Sequence, residues 1–240
     1  MRTSRELIVA LDFAEIRDAR ELVQELGDRV GTYKVGLQLL TAAGPRIVTE
    51  LVGAGKSVFL DLKLHEIPHS VASAVRMCGA LGVSMVTVHA SAGSAVLRAA
   101  VEAAAETPGL KVLALTVITS LGDQGLAEVG VRGGVAEQVA RLTRLARDAG
   151  CHGLVTSPRE AAICRGLMGP GALVVVPGVS VSTRTAQAHD HVRSGSIAAA
   201  ITDGASHVVL GRSISRAEHR REAADHAIRA ILAATTQSAI

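Results

Sequence analysis

An acid and a base stand two residues apart in the stretch Ser57-Val58-Phe59-Leu60-Asp61-Leu62-Lys63-Leu64-His65-Glu66-Ile67-Pro68-His69-Ser70. Its first half is apolar and reads as a buried strand that ends in charge. Side chains alternate along a strand, so Phe59, Asp61 and Lys63 share one face and Val58, Leu60 and Leu62 the other. The Val/Leu face suits burial against a helix. The opposite face carries a carboxylate and an ammonium about 7 Å apart along the strand. Packing does not call for that pair. At the C-terminal end of a barrel strand it is where enzymes of that architecture hold their chemistry.

Other strand-like runs end in similar fashion. Leu11-Asp12 closes the first, with Ile8, Ala10 and Asp12 on one face. Tyr33-Lys34-Val35-Gly36 places an isolated lysine inside an apolar run, and Val86-Thr87-Val88-His89-Ala90 puts Thr87 and His89 on a common face. Unpaired buried charge is prohibitively costly, so Asp12, Lys34, Asp61 and Lys63 are expected to pair with one another or to hold a polar ligand over one barrel mouth. Alternation of acid and base keeps all four ionised. His89 reads equally as a direct contact and as a hydrogen-bonded support. Two later runs, Val176-Pro177-Gly178-Val179 and Leu210-Gly211-Arg212-Ser213, end in glycine. Glycine lets a backbone approach a ligand closely, and an arginine binds phosphate through two donors at once. Barrels commonly hold phosphate at the loops after strands seven and eight.

These residues need elements to carry them. Strand-like runs recur at Leu7–Asp12, Thr32–Leu37, Ser57–Lys63, Ser84–Ala90, Lys111–Val117, Gly153–Ser157, Leu173–Gly178 and His207–Arg212. Segments of helical period lie between them, among them Ile16–Leu26, Val71–Leu81, Ser94–Ala105 and Val135–Ala149. Eight strands, each followed by a helix and without an intervening linker, predict an α/β chain, a (β/α)8 TIM barrel, as one domain spanning residues 1–240. A doubly wound open sheet is the alternative, but no GxGxxG follows the first strand and the charged ends run around the whole series. The stretch from Val179 to Ser194 lacks periodicity and reads as a long loop beside the phosphate site, a candidate lid. Its His189 and His191 lack an evident carboxylate or third histidine and read as exposed loop residues rather than metal ligands.

Composition agrees with a globular α/β chain rather than a disordered or fibrous one: 240 residues, 48% hydrophobic, 24 glycines and a net charge of +3. The basic residues are scattered, which argues against nucleic-acid binding. Cys78, Cys151 and Cys164 have no CxxC spacing and read as reduced, buried thiols. No secretory signal opens the chain and no apolar run reaches membrane-spanning length, so a cytoplasmic location without membrane partners is expected.

Together the residues resemble the orotidine 5'-monophosphate decarboxylase family over essentially the whole chain. Its Asp-x-Lys-x-x-Asp signature is matched by Asp61-Leu62-Lys63-Leu64-His65-Glu66, followed by Ile67-Pro68. The segments around Asp12, Lys34 and His89, Leu115-Thr116-Val117-Ile118-Thr119-Ser120, Pro177-Gly178-Val179 and Gly211-Arg212-Ser213-Ile214 fall in family order. The resemblance implies metal- and cofactor-free loss of CO2 from C6 of orotidine monophosphate, giving uridine monophosphate, a step of pyrimidine biosynthesis. By the same resemblance Lys63 protonates the C6 carbanion and Asp61 sits against the departing carboxylate. Asp12 and Lys34 hold the ribose, Thr119 or Ser120 contacts the pyrimidine, and Arg212 with the Pro177-Gly178 loop grips the phosphate. The last signature acid, Glu66, reaches into the partner's site, which implies a homodimer with shared active sites.

Five positions depart from the family pattern. Glu66 replaces an aspartate, and His69-Ser70 replaces Asn-Thr, Ser70 keeping a hydroxyl. Ser182 falls where a phosphate-loop glutamine is expected, with Arg184 or Gln187 as substitutes, and Ser180 falls where many bacterial members have arginine. Asp61 and Lys63 are intact, so the departures bear on the substrate more than on the reaction. The alternatives are a related barrel enzyme acting on a modified nucleotide or a sugar phosphate, and a non-catalytic nucleotide-binding homologue.

Overall fold

In the computed structural model, which describes residues 4–180 and 193–238, eight parallel strands close into a barrel with helices between them, a (β/α)8 TIM barrel. In chain order the strands are β1 (Ser4–Ala10), β2 (Val30–Gly36), β3 (Ser57–Leu64), β4 (Met85–His89), β5 (Lys111–Leu115), β6 (Gly153–Val155), β7 (Leu173–Val176), β8 (Val179–Ser180), β9 (Gly195–Ser196) and β10 (His207–Leu210). All but β8 and β9 form the barrel, which closes where β1 pairs with β10. Each parallel crossover is a helical connection, as this pairing requires.

The strands separate two apolar layers. Ile8, Ala10, Phe59, Met85, Leu113, Leu115, Val155, Val175 and Val209 fill the barrel interior. The alternate residues, among them Leu7, Val9, Val58, Leu60 and Val208, pack outward against the helices. This is the two-residue period read from Ser57–Lys63 and Leu7–Asp12, now closed around a barrel axis. The expected helices at Ile16–Leu26 and Ser94–Ala105 form at those bounds, and the next two run Pro68–Ala80 and Val135–Asp148. Two helices rather than one, Leu37–Ala43 and Arg46–Gly53, follow β2, with Gly44 turning between them at φ 62°. Gly153 lies so close to β7 that a Cβ there would sit 2.2 Å from the Leu173 carbonyl oxygen, so no larger residue fits that crossing.

Several strands stop short of their expected ends. β5, β6 and β10 finish at Leu115, Val155 and Leu210, leaving Thr116–Ser120, Thr156–Ser157 and Gly211–Arg212 as loop and turn. The segment expected as a lid, Val179–Ser194, opens with β8, which pairs with β9 just beyond the segment in a separate two-stranded sheet. Ser182, Arg184, Gln187, His189 and His191 lie outside the described residues. The three cysteines are buried and unbridged. Among the described residues no helix is long and apolar enough to cross a membrane.

Candidate active site

Ala10, Lys34 and Phe59 occupy one level of the barrel on adjacent strands, and Asp61 lies opposite Gly36 at the next level up. Lys34 therefore starts below the barrel mouth and extends upward between β1 and β3. Its Nζ donates to Asp12 Oδ1 at 2.9 Å and lies 3.8 Å from Asp61 Oδ2. Lys63 Nζ donates to the same Asp61 Oδ2 at 2.8 Å. Acid and base thus alternate along one chain of contacts, Asp12, Lys34, Asp61, Lys63. Gly36 makes room for it. A Cβ at that position would stand 3.1 Å from Lys34 Nζ and 3.4 Å from Asp12 Oδ1.

The chain ends in a local distortion of β3. Leu60 pairs with Val86 but Leu64 pairs with Val88, so four steps along β3 match two along β4. Such a bulge re-aims side chains and ends regular pairing. Lys63 within it has φ 53°, alone among the described non-glycine residues in the left-handed region. For a residue with a Cβ that conformation costs roughly 1–2 kcal/mol, so its surroundings must hold it. The buried hydroxyl of Thr87 does so, accepting from the Lys63 backbone N–H at 2.8 Å and donating to Asp61 Oδ1 at 3.0 Å.

The cleft above the barrel is lined by Asp12, Lys34, Asp61 and Lys63 on one side. Thr119 and Ser120 line it from the loop after β5, Pro177 and Gly178 from the end of β7, and Gly211 and Arg212 from the end of β10. Phe59, Leu115, Val155 and Val209 form its apolar floor. Gly178 has φ 74°, a turn that favours glycine. Arg212 opens the short helix Arg212–Ser215 and is exposed. Charged groups on one wall, glycine-containing turns with an arginine on the other and an apolar floor suit a ligand that is part anionic and part apolar.

Three expected site residues stand elsewhere. Glu66 is exposed at the rim beyond β3, and Ser70 lies one helical turn further; neither lines this cleft. The Ser70 side chain and the Ile67 backbone N–H hydrogen-bond the Glu66 carboxyl and hold it below the usual carboxylate range. His89 turns away from the cleft, stacking on His65 with ring centroids 5.2 Å apart while its Nδ1 meets Ser91 Oγ at 2.6 Å. Burial, with the nearby His65 and Lys63 charges adding to it, pushes His89 below the ordinary imidazole value, which favours a neutral ring.

Sequence reading missed a second set of charges. Glu160 and Arg193 pair at 2.7 Å, and Ser157 Oγ donates to the same Glu160 oxygen. Arg193 Nη2 also donates to the carbonyls of Val117 and Ile118, both at 3.0 Å. This tie joins the segment before β9 to the loop that carries Thr119 and Ser120. No local pattern signals a pair 33 residues apart on irregular segments.

The family model described as the orotidine 5'-phosphate decarboxylase / HUMPS family matches residues 5–227. The chain belongs to that family. It is 44% identical over 229 residues to an orotidine 5'-phosphate decarboxylase of Rhodopseudomonas palustris strain BisB5, covering 95% of each chain. It is 42% identical over 224 residues to one of Caulobacter sp. strain K31, covering 93% of this chain and 96% of that one. The crystal structure of orotidine 5'-phosphate decarboxylase from Lactobacillus acidophilus superposes with a TM-score of 0.82 at 31% identity, over 95% of this chain and 99% of that one. The (β/α)8 barrel and the family expected from the Asp61–Lys63 stretch are thereby established. Within the orotidine 5'-phosphate decarboxylase / HUMPS family, the cleft at the C-terminal strand ends is the candidate active site.

Proposed function

We propose that this chain decarboxylates orotidine 5'-monophosphate to uridine 5'-monophosphate, with Lys63 supplying the proton and no metal or cofactor taking part. The observation that carries the reading is the Lys63 ammonium on Asp61 Oδ2 at the lip of a cleft with an apolar floor. In the reaction the C6–carboxylate bond breaks, CO2 leaves and the electron pair stays at C6. An ammonium fixed beside C6 stabilises that pair as it develops and then transfers a proton to it. Lys63 is left neutral and recovers its proton from water. Asp61 faces the departing carboxylate and keeps Lys63 aligned, while Lys34 on the far side preserves the charge balance.

The remaining walls accept the remaining groups of the substrate. Asp12 and Lys34 hold the ribose hydroxyls, Thr119 or Ser120 meets the pyrimidine, and Gly178, Gly211 and Arg212 enclose the phosphate. The phosphate lies away from C6, so its binding energy serves orientation rather than bond breaking. Glu66 and Ser70, hydrogen-bonded to each other outside their own cleft, stand beside the exposed apolar side chain of Ile67. We propose that this face forms a homodimer in which Glu66 reaches the partner's cleft; sedimentation of a monomer at micromolar concentration would overturn it.

The deciding assay is the ultraviolet absorbance of orotidine monophosphate with chelator-treated protein. Rapid, metal-independent loss is expected. Tight binding of uridine monophosphate without turnover would instead leave a nucleotide-binding protein or an enzyme for another nucleotide.

A further inference from the structure

We propose that Thr87 is a positioning residue that fixes the reactive geometry of the Asp61–Lys63 pair; the proposal rests on the decarboxylase reading of that site. Thr87 lies in the middle of β4 and is completely buried, on the barrel-facing side of a strand whose register against β3 is interrupted at this level. In a regular ladder a strand N–H bonds a backbone carbonyl of a neighbouring strand. Here it bonds the Thr87 hydroxyl instead.

Hydrogen-bond chemistry fixes the direction of both contacts. An ionised carboxylate only accepts, so the single hydroxyl proton of Thr87 goes to Asp61 Oδ1, and a hydroxyl lone pair takes the Lys63 N–H. One side chain thereby sets two things. It turns the Asp61 carboxylate so that Oδ2 faces both lysines, and it holds the Lys63 backbone in the left-handed conformation that sends Nζ back to Oδ2. Burial alone does not explain a hydroxyl here, since Met85, one level below Thr87 on the same face of β4, is apolar. A valine would fill the same volume and could make neither bond.

The experiment compares Thr87→Val with Thr87→Ser, reading kcat and KM for orotidine monophosphate and hydrogen exchange at the Lys63 backbone amide. The serine variant keeps the hydroxyl and is expected within a few-fold of wild type. The valine variant is expected to lose about 10²-fold in kcat, the scale of a misplaced reacting group. Its KM should change little, and the Lys63 amide should lose protection. Wild-type kcat with a protected amide in the valine variant overturns the proposal. So does equal loss in both variants, which would assign the effect to packing. If the valine variant does not fold, Thr87→Cys replaces it: its thiol is a poor donor and acceptor, and wild-type kcat there also overturns the proposal. Amide exchange separates this claim from the reaction assignment. An amide protected in wild type and the serine variant but not in the valine variant upholds the positioning role even where orotidine monophosphate is not turned over.

Discussion

Two sets of paired charge sit near the same barrel mouth and are built on opposite principles. Glu160 and Arg193 are sealed, their side chains 7% and 5% exposed. The carboxylate takes Arg193 and Ser157 on one oxygen, and the guanidinium closes on two backbone carbonyls. Asp12, Lys34, Asp61 and Lys63 are also mutually paired, yet Lys63 is 35% and Asp12 53% exposed, both toward the cleft. Each lysine ammonium has three donors. The first set is closed off from solvent, with Arg193 Nε buried and without a hydrogen-bond partner among the described residues; the second keeps donors facing open space and includes a strained backbone at Lys63. Buried charge therefore does not mark a reactive site. Access, unused hydrogen-bonding capacity and strain held by a neighbour together do.

That contrast breaks most readily at Lys63. Replacing it with alanine should lower kcat for orotidine monophosphate by about 10⁴-fold or more, the upper range of general acid catalysis and some 5.5 kcal/mol of barrel-mouth chemistry. Binding of uridine monophosphate, followed by calorimetry, should persist. Thermal stability should move little, because Asp61 keeps Thr87 and Lys34. Near-wild-type turnover would remove Lys63 from the mechanism.

The sealed pair should respond in the opposite way. Arg193→Met leaves Glu160 buried with one hydroxyl for company, and breaking a buried pair costs about 3–5 kcal/mol. In a chain of this size that corresponds to a fall in melting temperature of roughly 10 °C, read by calorimetry. Adding Glu160→Gln should recover part of the loss, because the uncompensated charge is gone. A melting temperature unchanged in Arg193→Met would show that the pair contributes nothing and that the two sets do not differ as argued.

The sequence made one of these sets visible and hid the other for a physical reason. Asp61 and Lys63 stand out because a strand has a two-residue period, and polar residues on its inward face contradict packing. The same logic placed Asp12 and Lys34, since each closes or interrupts an apolar run whose neighbours fill the barrel. The barrel itself followed from eight repeats of strand and helix. Nothing local announces that Lys63 leaves the strand conformation, because that depends on a mismatch between β3 and β4 seen only when the two are paired. Thr87 was legible as a residue on the inward face but not as a double anchor. Glu160 and Arg193 meet only after the chain closes, from segments without periodicity. The expected strand ends lie two residues beyond those of β5, β6 and β10, because single backbone bonds such as Thr116 N–H to the Val155 carbonyl and Thr156 N–H to the Val175 carbonyl extend the pairing of β5 and β6 past the regular ladder.

The smallest effect is expected at a carboxylate that belongs to neither set. Glu66 is exposed, lies just before the helix Pro68–Ala80, and is held by Ser70 and the Ile67 N–H. A carboxylate near a helix N-terminus is favoured whether its side chain is one methylene longer or shorter. Aspartate is also the residue that the family signature carries there. Glu66→Asp should therefore leave the melting temperature unchanged and hold or slightly raise kcat/KM for orotidine monophosphate. A fall beyond about tenfold, which is 1.4 kcal/mol, would mean that the longer arm is fitted to its target. The difference between the two sets of charge would then extend past the barrel mouth to an acid at its rim whose length is itself part of the fit.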